Sequence, residues 1–286
     1  MTQLTATPTT PLKSSAKPPI VLTIAGSDSG GGAGVQADIK AISATGSYAC
    51  SVITAITAQN TLGVSDIFSI PLQHVETQLD AVFSDLNIVA VKVGMLADSD
   101  IIQLVANKLK QYAPAFLVVD PVMVTTNGDL LLEKSAIDTL KNVLFPLADI
   151  ITPNLPEGAA LIDIETPSAQ EGMFTMVPAL REVGAKAVLL KGGQLENDQN
   201  SNDLLITEDT VEQLKAKRVA TSNNHGTGCS LSASIASYLA QGYPLNTAVR
   251  LAKQYITEAL KHADQLNIGE GRGPVHHFYQ LHQSQL

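Results

Sequence analysis

Ile20-Val21-Leu22-Thr23-Ile24-Ala25 runs into Gly26-Ser27-Asp28-Ser29-Gly30-Gly31-Gly32-Ala33-Gly34, and an amphipathic stretch over residues 35–44 follows. A short apolar run bounded by glycines reads as a buried strand. The loop after it can fold tightly because glycine lacks a Cβ. The third stretch reads as a helix, stopped by Gly46. Strand, tight loop and helix make the first half of a parallel βαβ unit.

The same alternation continues along the chain. Strands are predicted at 49–58, closed by Gln59-Asn60-Thr61, at 67–70 as an edge piece, and at 89–93, leading into Gly94-Met95-Leu96. Further strands are expected at 116–119, ending in Asp120-Pro121, at 150–151 and at 187–190, while 204–206 and 214–219 read as an antiparallel pair. Helices fall at 71–83, 99–111, 133–144, 156–161, 168–183, 228–240 and 245–266. Alternation of this kind predicts an α/β fold with a central, mostly parallel sheet covered by helices on both faces. Ligands of such sheets bind beyond the carboxyl ends of the strands. Gly26, Gln59, Met95, Asp120, residues 152–154 and Lys191 all stand at those ends, so one crevice is expected to collect them.

With 286 residues and no internal repeat or long linker, one domain over 20–286 is the simplest account. Residues 1–19, rich in Thr, Pro and Ser without an apolar core, read as a disordered tail and not as a secretory signal. A net charge of −9 argues against nucleic-acid binding through a basic face and against an anionic membrane surface. No apolar run approaches the roughly 18 residues that span a bilayer. Two cysteines, Cys50 and Cys229, make neither a disulfide framework nor a zinc pattern. The expected setting is cytoplasmic.

An acidic chain that binds an anion must do so locally. Asn223-Asn224-His225-Gly226-Thr227-Gly228-Cys229 supplies the means, because it stands where a loop becomes a helix. The first N–H groups of a helix lack intrahelical partners and its dipole favours negative charge there. Gly226 and Gly228 leave that terminus open to a phosphate or a developing oxyanion. The Cys229 thiol sits in the same field.

Other residues read two ways. The glycines at 30–34 lack the G-x-G-x-x-G spacing and no Walker ending is present, so the loop alone is only a tight turn. Asp38, with Gln36, suits a substrate contact, or equally an acid stabilising the helix start. Gln59 offers a donor and an acceptor that fit adjacent groups of a heterocycle, or it merely closes a turn. Asn154 and Glu157 flank Pro156 where a cap is needed, yet they also suit a Mg²⁺ that keeps its waters. Lys191-Gly192-Gly193 places a point charge at a strand end. Asp120 after a run of valines is hard to explain as a lone buried carboxylate and favours metal or phosphate chemistry. His276-His277 lacks matching ligand spacing and reads as structural.

Taken in order, the segments 24–28, 31–38, 51–55, 58–61, 93–96, 151–157, 190–193, 225–229 and 273–277 resemble the ribokinase-like superfamily. They are most similar to the hydroxymethylpyrimidine/phosphomethylpyrimidine kinases of thiamine biosynthesis. The family's Asp-Pro-Ser-Gly-Gly is here Asp28-Ser29-Gly30-Gly31-Gly32, which predicts a loop of equal length and greater flexibility. The resemblance implies a homodimer that uses ATP and Mg²⁺ to phosphorylate the pyrimidine's hydroxymethyl group and then the resulting monophosphate. It implies that Gly26, Asp38, Gln59, Met95, Val122 and Cys229 line the pyrimidine pocket. Asn154, Glu157, Lys191 and Thr227 would serve the nucleotide, and Asp120 with Glu157 the metal. Catalysis would fall to Lys191, the N–H groups at Gly226 and Gly228, and Cys229. A thiol at a helix N-terminus titrates below its usual value of about 8.5, so Cys229 fits a base, and equally a small neighbour leaving room for a second phosphate. A pyridoxal kinase of the same superfamily is the nearest rival. A non-catalytic pyrimidine-binding sensor is the rival from another class.

Overall fold

The computed structural model describes residues 17–123, 132–195 and 198–283. The tail expected at 1–19 lies outside the described residues up to position 16. The chain enters through β1 (Ile20–Ala25), α1 (Gly34–Ala44), β2 (Tyr48–Ile53), β3 (Ala55–Asn60), β4 (Gly63–Ser69) and α2 (Leu72–Asp85). It continues with β5 (Ile88–Val93), α3 (Ser99–Tyr112), β6 (Phe116–Val119), α4 (Lys134–Thr139), β7 (Ile150–Ile151) and α5 (Leu155–Leu161). Then come α6 (Gln170–Thr175), α7 (Val177–Arg181), β8 (Ala187–Leu190), β9 (Asp203–Thr207), β10 (Val211–Leu214), α8 (Thr227–Ala240) and α9 (Leu245–Lys261).

Eight strands form one sheet in the order β10-β9-β8-β7-β6-β5-β1-β2. From β2 to β8 every pairing is parallel, and β9 and β10 add an antiparallel edge. Side chains alternate across each strand. Leu22, Ile24, Val91, Val93, Leu117 and Val119 point to one face, where α2, α3, α5, α6 and α7 complete a core. Val21, Ala90, Val118 and Leu189 point to the other face and pack with α1, α8 and α9. The run Ser230–Leu239 suits α8 to this buried position because its side chains are mostly small. The hydroxyls of Ser232 and Ser234 are spent on carbonyls of their own helix, so no polar group is left over.

Three expectations are corrected. The strand predicted over 49–58 is two strands, because Thr54 leaves the sheet: its N–H donates to Ala25 O at 3.0 Å and its hydroxyl reaches Met95 O at 3.2 Å. Beyond it β3 pairs with β4 in a separate antiparallel ribbon. The antiparallel partner of β9 is 211–214, not 214–219, with Val211 opposite Ile206. The long helices predicted at 133–144 and 168–183 are broken, the first by a wider π-type turn from Leu140 and the second at Met176, just before Pro178.

Candidate active site

Two glycine loops meet over the carboxyl ends of β1, β5 and β6. In the first, the Asp28 carboxylate accepts from the N–H groups of Gly30, Gly32 and Ala33 at 2.8, 3.0 and 2.8 Å. Gln36 turns back on this loop. Its Oε1 accepts from Asp28 N at 2.8 Å and so braces the loop. Ser29, which stands where the family has proline, donates to Gln59 O at 2.6 Å and accepts from Gln59 N at 2.8 Å, tying the loop to β3. Gly34 has φ +57, and a Cβ there would lie 2.4 Å from Gly26 O, so only glycine closes this turn. Gly26 itself borders Met95, whose Cε would be 3.1 Å from a Cβ at position 26.

The second loop carries the N-terminus of α8. Gly226 is its N-cap with φ +79, and a Cβ there would fall 1.8 Å from Gly32 O. The loops therefore touch backbone to backbone. His225 Nε2 lies 2.9 Å from Asp28 Oδ2 and 3.3 Å from Gln59 Nε2. Burial opposes the Asp28 charge, but His225 and the loop N–H groups outweigh it and hold the carboxyl below its ordinary value. The Thr227 hydroxyl donates to Asn224 O at 2.6 Å. The N–H groups of Gly228 and Cys229 find no acceptor among the described residues, as expected of an anion site.

Opposite that terminus stand the charges. A Cβ on Gly228 would lie 3.2 Å from Lys191 Nζ and 3.5 Å from Asp120 Oδ2, so the glycine lets the helix terminus stand close to this pair. Asp120 is buried but not alone, since its Oδ1 accepts from Lys191 Nζ and from Thr152 Oγ1, each at 2.9 Å. Burial works against this carboxylate, yet Lys191 and Lys92 hold it ionised, below the usual range. Asn154 and Glu157 form a reciprocal cap on α5: Glu157 N donates to Asn154 Oδ1 at 2.8 Å and Asn154 N to Glu157 Oε2 at 2.7 Å. The capping reading of these two residues is therefore realised, and it leaves Glu157 facing Asp120 and Lys191. Burial, with Asp120 adding to it, pushes Glu157 up to about 7. Val122 stands two residues after Asp120, beyond Pro121, and its N–H donates to Asp120 O at 2.9 Å.

The heterocycle candidates sort unevenly. Gly26, Gln59, Met95 and Cys229 border the meeting of the loops. Asp38 does not stabilise the start of α1. It is fully buried, with Oδ2 2.8 Å from Lys92 Nζ and 2.6 Å from Thr23 Oγ1. Cys229 accepts from the Gly34 N–H, and burial pushes its thiol up to about 11 against the pull of Lys92. The field of α8 does not make this thiol acidic. His277 is structural, as expected, for Ser230 Oγ meets its Nε2 at 2.8 Å and burial pushes it down to about 3. No cluster of three or more His, Cys, Asp and Glu suited to a metal occurs among the described residues.

Sequence reasoning missed four contributors. Lys92 hides in an apolar strand, although strict alternation with Ala90 would have placed it on a buried face. Asp28 and His225 lay inside quoted motifs without a role. Asp203 on β9 accepts from Gly192 N at 3.0 Å and is held by Lys253 of α9 at 2.6 Å, which braces the turn after Lys191.

An α/β fold with a mostly parallel sheet between two layers of helices, and with a helix terminus, a lysine and two carboxylates gathered at its strand ends, is that of a ribokinase-like kinase. Its solved relatives agree. A pyridoxal kinase from Staphylococcus aureus in complex with ADP is 32% identical with a TM-score of 0.86, covering 93% of this chain and 95% of its own. A phosphomethylpyrimidine kinase from Clostridium difficile 630, a crystal structure, is 43% identical with a TM-score of 0.74, covering 85% of this chain and all of its own. The hydroxymethylpyrimidine/phosphomethylpyrimidine kinase of Rhizobium meliloti is 50% identical over 260 residues, 91% of this chain and 97% of that protein. The phosphomethylpyrimidine kinase family matches residues 28–276, and the chain belongs to it.

Proposed function

We propose that the chain transfers the γ-phosphoryl group of ATP to 4-amino-5-hydroxymethyl-2-methylpyrimidine and then to the monophosphate so formed, in thiamine biosynthesis. The observation that carries this is the start of α8, where the N–H groups of Gly228 and Cys229 find no acceptor among the described residues and the Lys191–Asp120 pair stands close to Gly228. Phosphoryl transfer asks mainly for positioning and charge stabilisation. The N–H groups at Gly228 and Cys229 take the charge that builds on the phosphoryl oxygens. Lys191, kept ionised by Asp120 and Glu157 against burial, neutralises the rest. Gly26, Gln59, Met95 and Val122 hold the pyrimidine so that its hydroxymethyl oxygen meets this terminus, while Asn154, Glu157 and Thr227 attend the nucleotide.

Mg²⁺ suits Asp120 and Glu157, because it takes one or two carboxylates and keeps its waters. The raised Glu157 is the group such a cation would relieve. When bound it neutralises nucleotide phosphate charge. Cys229 acts as a small neighbour and not as a base, since a thiol near 11 is protonated at neutral pH. The sensor reading is disfavoured by the complete set of charged groups at the α8 terminus.

A homodimer belongs to the same reading. The β3–β4 ribbon stands outside the main sheet and leaves Ile56, Val64, Ile67 and Phe68 about half exposed or more. A lone two-stranded ribbon is marginal in water, and an apolar one invites a second copy. No helix among the described residues is long and apolar enough to cross a membrane, and a cytoplasmic setting with access to ATP completes the proposal. The test is ADP release that depends on the aminopyrimidine, with pyridoxal as the comparison alcohol. Release with pyridoxal alone would replace this reading by the pyridoxal kinase one, and release with neither would end both.

A further inference from the structure

Asn223 and Asn224 lead into α8, and each is bound in its own way. Asn224 belongs to the helix start, because its carbonyl accepts from Thr227 N at 3.3 Å and from Thr227 Oγ1 at 2.6 Å. Asn223 is tied to the C-terminal part of the chain. Its Nδ2 donates to Asp264 Oδ1 at 2.8 Å, and its Oδ1 accepts from Gly273 N at 3.1 Å. Both ends of the amide are therefore fixed, by an acceptor that only Nδ2 can serve and a donor that only Oδ1 can take. The fit is close, since a Cβ on Gly273 would lie 2.3 Å from Asn223 Oδ1. Gly273 then returns to the same loop, accepting from His225 N at 3.0 Å one residue before the N-cap of α8. His225 and Pro274 pair there as an isolated parallel bridge.

Asp264 is the outer end of this chain of bonds. It lies in a 3-10 turn, Ala263–Gln265, that follows α9, and it is exposed. Its Oδ1 also accepts from the Thr221 hydroxyl, and Thr221 Oγ1 accepts in turn from Asn223 N at 3.0 Å. These two donors hold the Asp264 carboxyl below its ordinary value, so the acceptor is ionised at neutral pH. Hydrogen bonds in contact with water add little to net stability. What this oxygen decides is the direction in which the Asn223 amide faces. We propose that Asp264 is a positioning residue for phosphoryl transfer: acting through Asn223 and Gly273, it fixes the loop that presents the N–H groups of Gly228 and Cys229. This rests on the reading of the α8 start as the transfer site. It adds that a carboxylate on an exposed turn, touching neither substrate, governs the rate of transfer and not the affinity for the ring. Without it the Asn223 amide rotates, Gly273 N loses its acceptor and the hold on His225 loosens. The end of β3 is held separately, by Gly271 N on Thr61 Oγ1 at 3.2 Å and Arg272 N on Thr61 O at 2.9 Å. Those bonds do not use Asp264, so the ring side of the site at Gln59 is expected to survive its loss.

The experiment measures kcat and KM with Mg-ATP and 4-amino-5-hydroxymethyl-2-methylpyrimidine for Asp264→Ala, Asp264→Asn and Asn223→Ala, beside thermal unfolding. Asp264→Ala is expected to fold and to lower kcat by about 10- to 100-fold. Its KM for the aminopyrimidine should stay within about threefold of wild type, as for an interaction expressed in the transition state. Asp264→Asn keeps an oxygen for Asn223 and Thr221, and should recover kcat to within about threefold of wild type. Asn223→Ala should match Asp264→Ala, and the double variant should be no worse than either, because the two residues act as one unit. A folded Asp264→Ala with wild-type kcat overturns the proposal, and so does a loss confined to KM. A loss that Asp264→Asn does not recover, or losses that add in the double variant, overturn it too and leave the kinase reading standing. Where Asp264→Ala fails to fold, Asn223→Ala decides by the same split between kcat and KM. Failure of wild type to phosphorylate the aminopyrimidine ends the kinase reading, and this inference falls with it.

Discussion

Asp28 and His225, 197 residues apart in sequence, meet at 2.9 Å and join the two glycine loops into one unit. Asp28 organises the first loop through three N–H groups, and His225 immediately precedes the N-cap of α8. The position of the α8 terminus relative to the first glycine loop is thus set by this side-chain contact and by the backbone meeting of Gly32 and Gly226. His225→Ala is expected to lower kcat/KM by about 10- to 100-fold, since small misplacements of a transfer site are costly. Its stability loss should be only about 1 kcal/mol, the net worth of a typical hydrogen bond. Steady-state kinetics beside thermal unfolding separate the two effects.

Gly226 and Gly228 differ in what a methyl group would do. Gly226→Ala places a Cβ 1.8 Å from Gly32 O at a positive φ, so the variant is expected to lose the folded loop and much stability. Gly228→Ala meets Lys191 Nζ at 3.2 Å, a contact the lysine can relieve. That variant should fold, with kcat reduced by about 10²- to 10³-fold because the methyl occupies the anion site. Circular dichroism and kinetics on the pair check this contrast.

Cys229→Ala is expected to keep both phosphorylation steps within about tenfold of wild type, with no loss of a basic limb in the pH profile. Burial pushes this thiol up to about 11, so it is protonated at neutral pH, and the expectation rests on that. A loss confined to the first, alcohol-accepting step would show that Cys229 is the base.

Glu157 predicts a pH and metal effect whose sign follows from its raised value. Its folded pKa of about 7 lies above the model-peptide value of 4.5, so the folded chain holds its proton longer. Stability from this group is therefore full below about pH 4.5 and is lost as pH rises through about 7. Mg²⁺ should raise the melting temperature more at about pH 8 than at about pH 6, and Glu157→Gln should remove most of that difference. Thermal unfolding with and without the cation measures it. Asp28 and Asp120 act in the opposite sense. Their lowered values give stability that is present above the ordinary carboxylate range and lost in acid.

The exposed ribbon carries the assembly prediction. Phe68→Asp, at a side chain 61% exposed, should convert a dimer to monomers without lowering secondary-structure content. Sedimentation velocity reads the change.

Much of this was legible in the sequence because strand, glycine loop and helix announce themselves locally. β1, α1, β5, β6, β8 and α8 stand close to where their patterns put them. The break at Thr54 was not legible, since Ile53 and Ala55 on either side are as apolar as a continuous strand requires. β10 was placed late because Val211-Glu212-Gln213 alternates on an edge and reads as polar loop. At the site, Gly226, Gly228, Lys191 and Asp120 could be chosen from residue type and position alone. Lys92 was missed although both faces of the sheet were expected to be covered, because a lone lysine between valines shows no partner in the sequence that would hold it in a buried place. Its partner Asp38 comes from a helix 54 residues earlier. Ser29 gives the same lesson in reverse: losing proline predicted flexibility, but its hydroxyl bonds the loop to Gln59, which residue type alone does not show.

The central claim is that one site at the start of α8 carries out both transfers. Mass analysis of the products after incubating the protein with Mg-ATP and 4-amino-5-hydroxymethyl-2-methylpyrimidine tests it most directly. The account predicts the monophosphate first and the diphosphate after it, with both lost together in Gly228→Ala. Absence of both products with wild type, or a Gly228→Ala variant that fails to make the monophosphate yet still converts supplied monophosphate to the diphosphate, would contradict it.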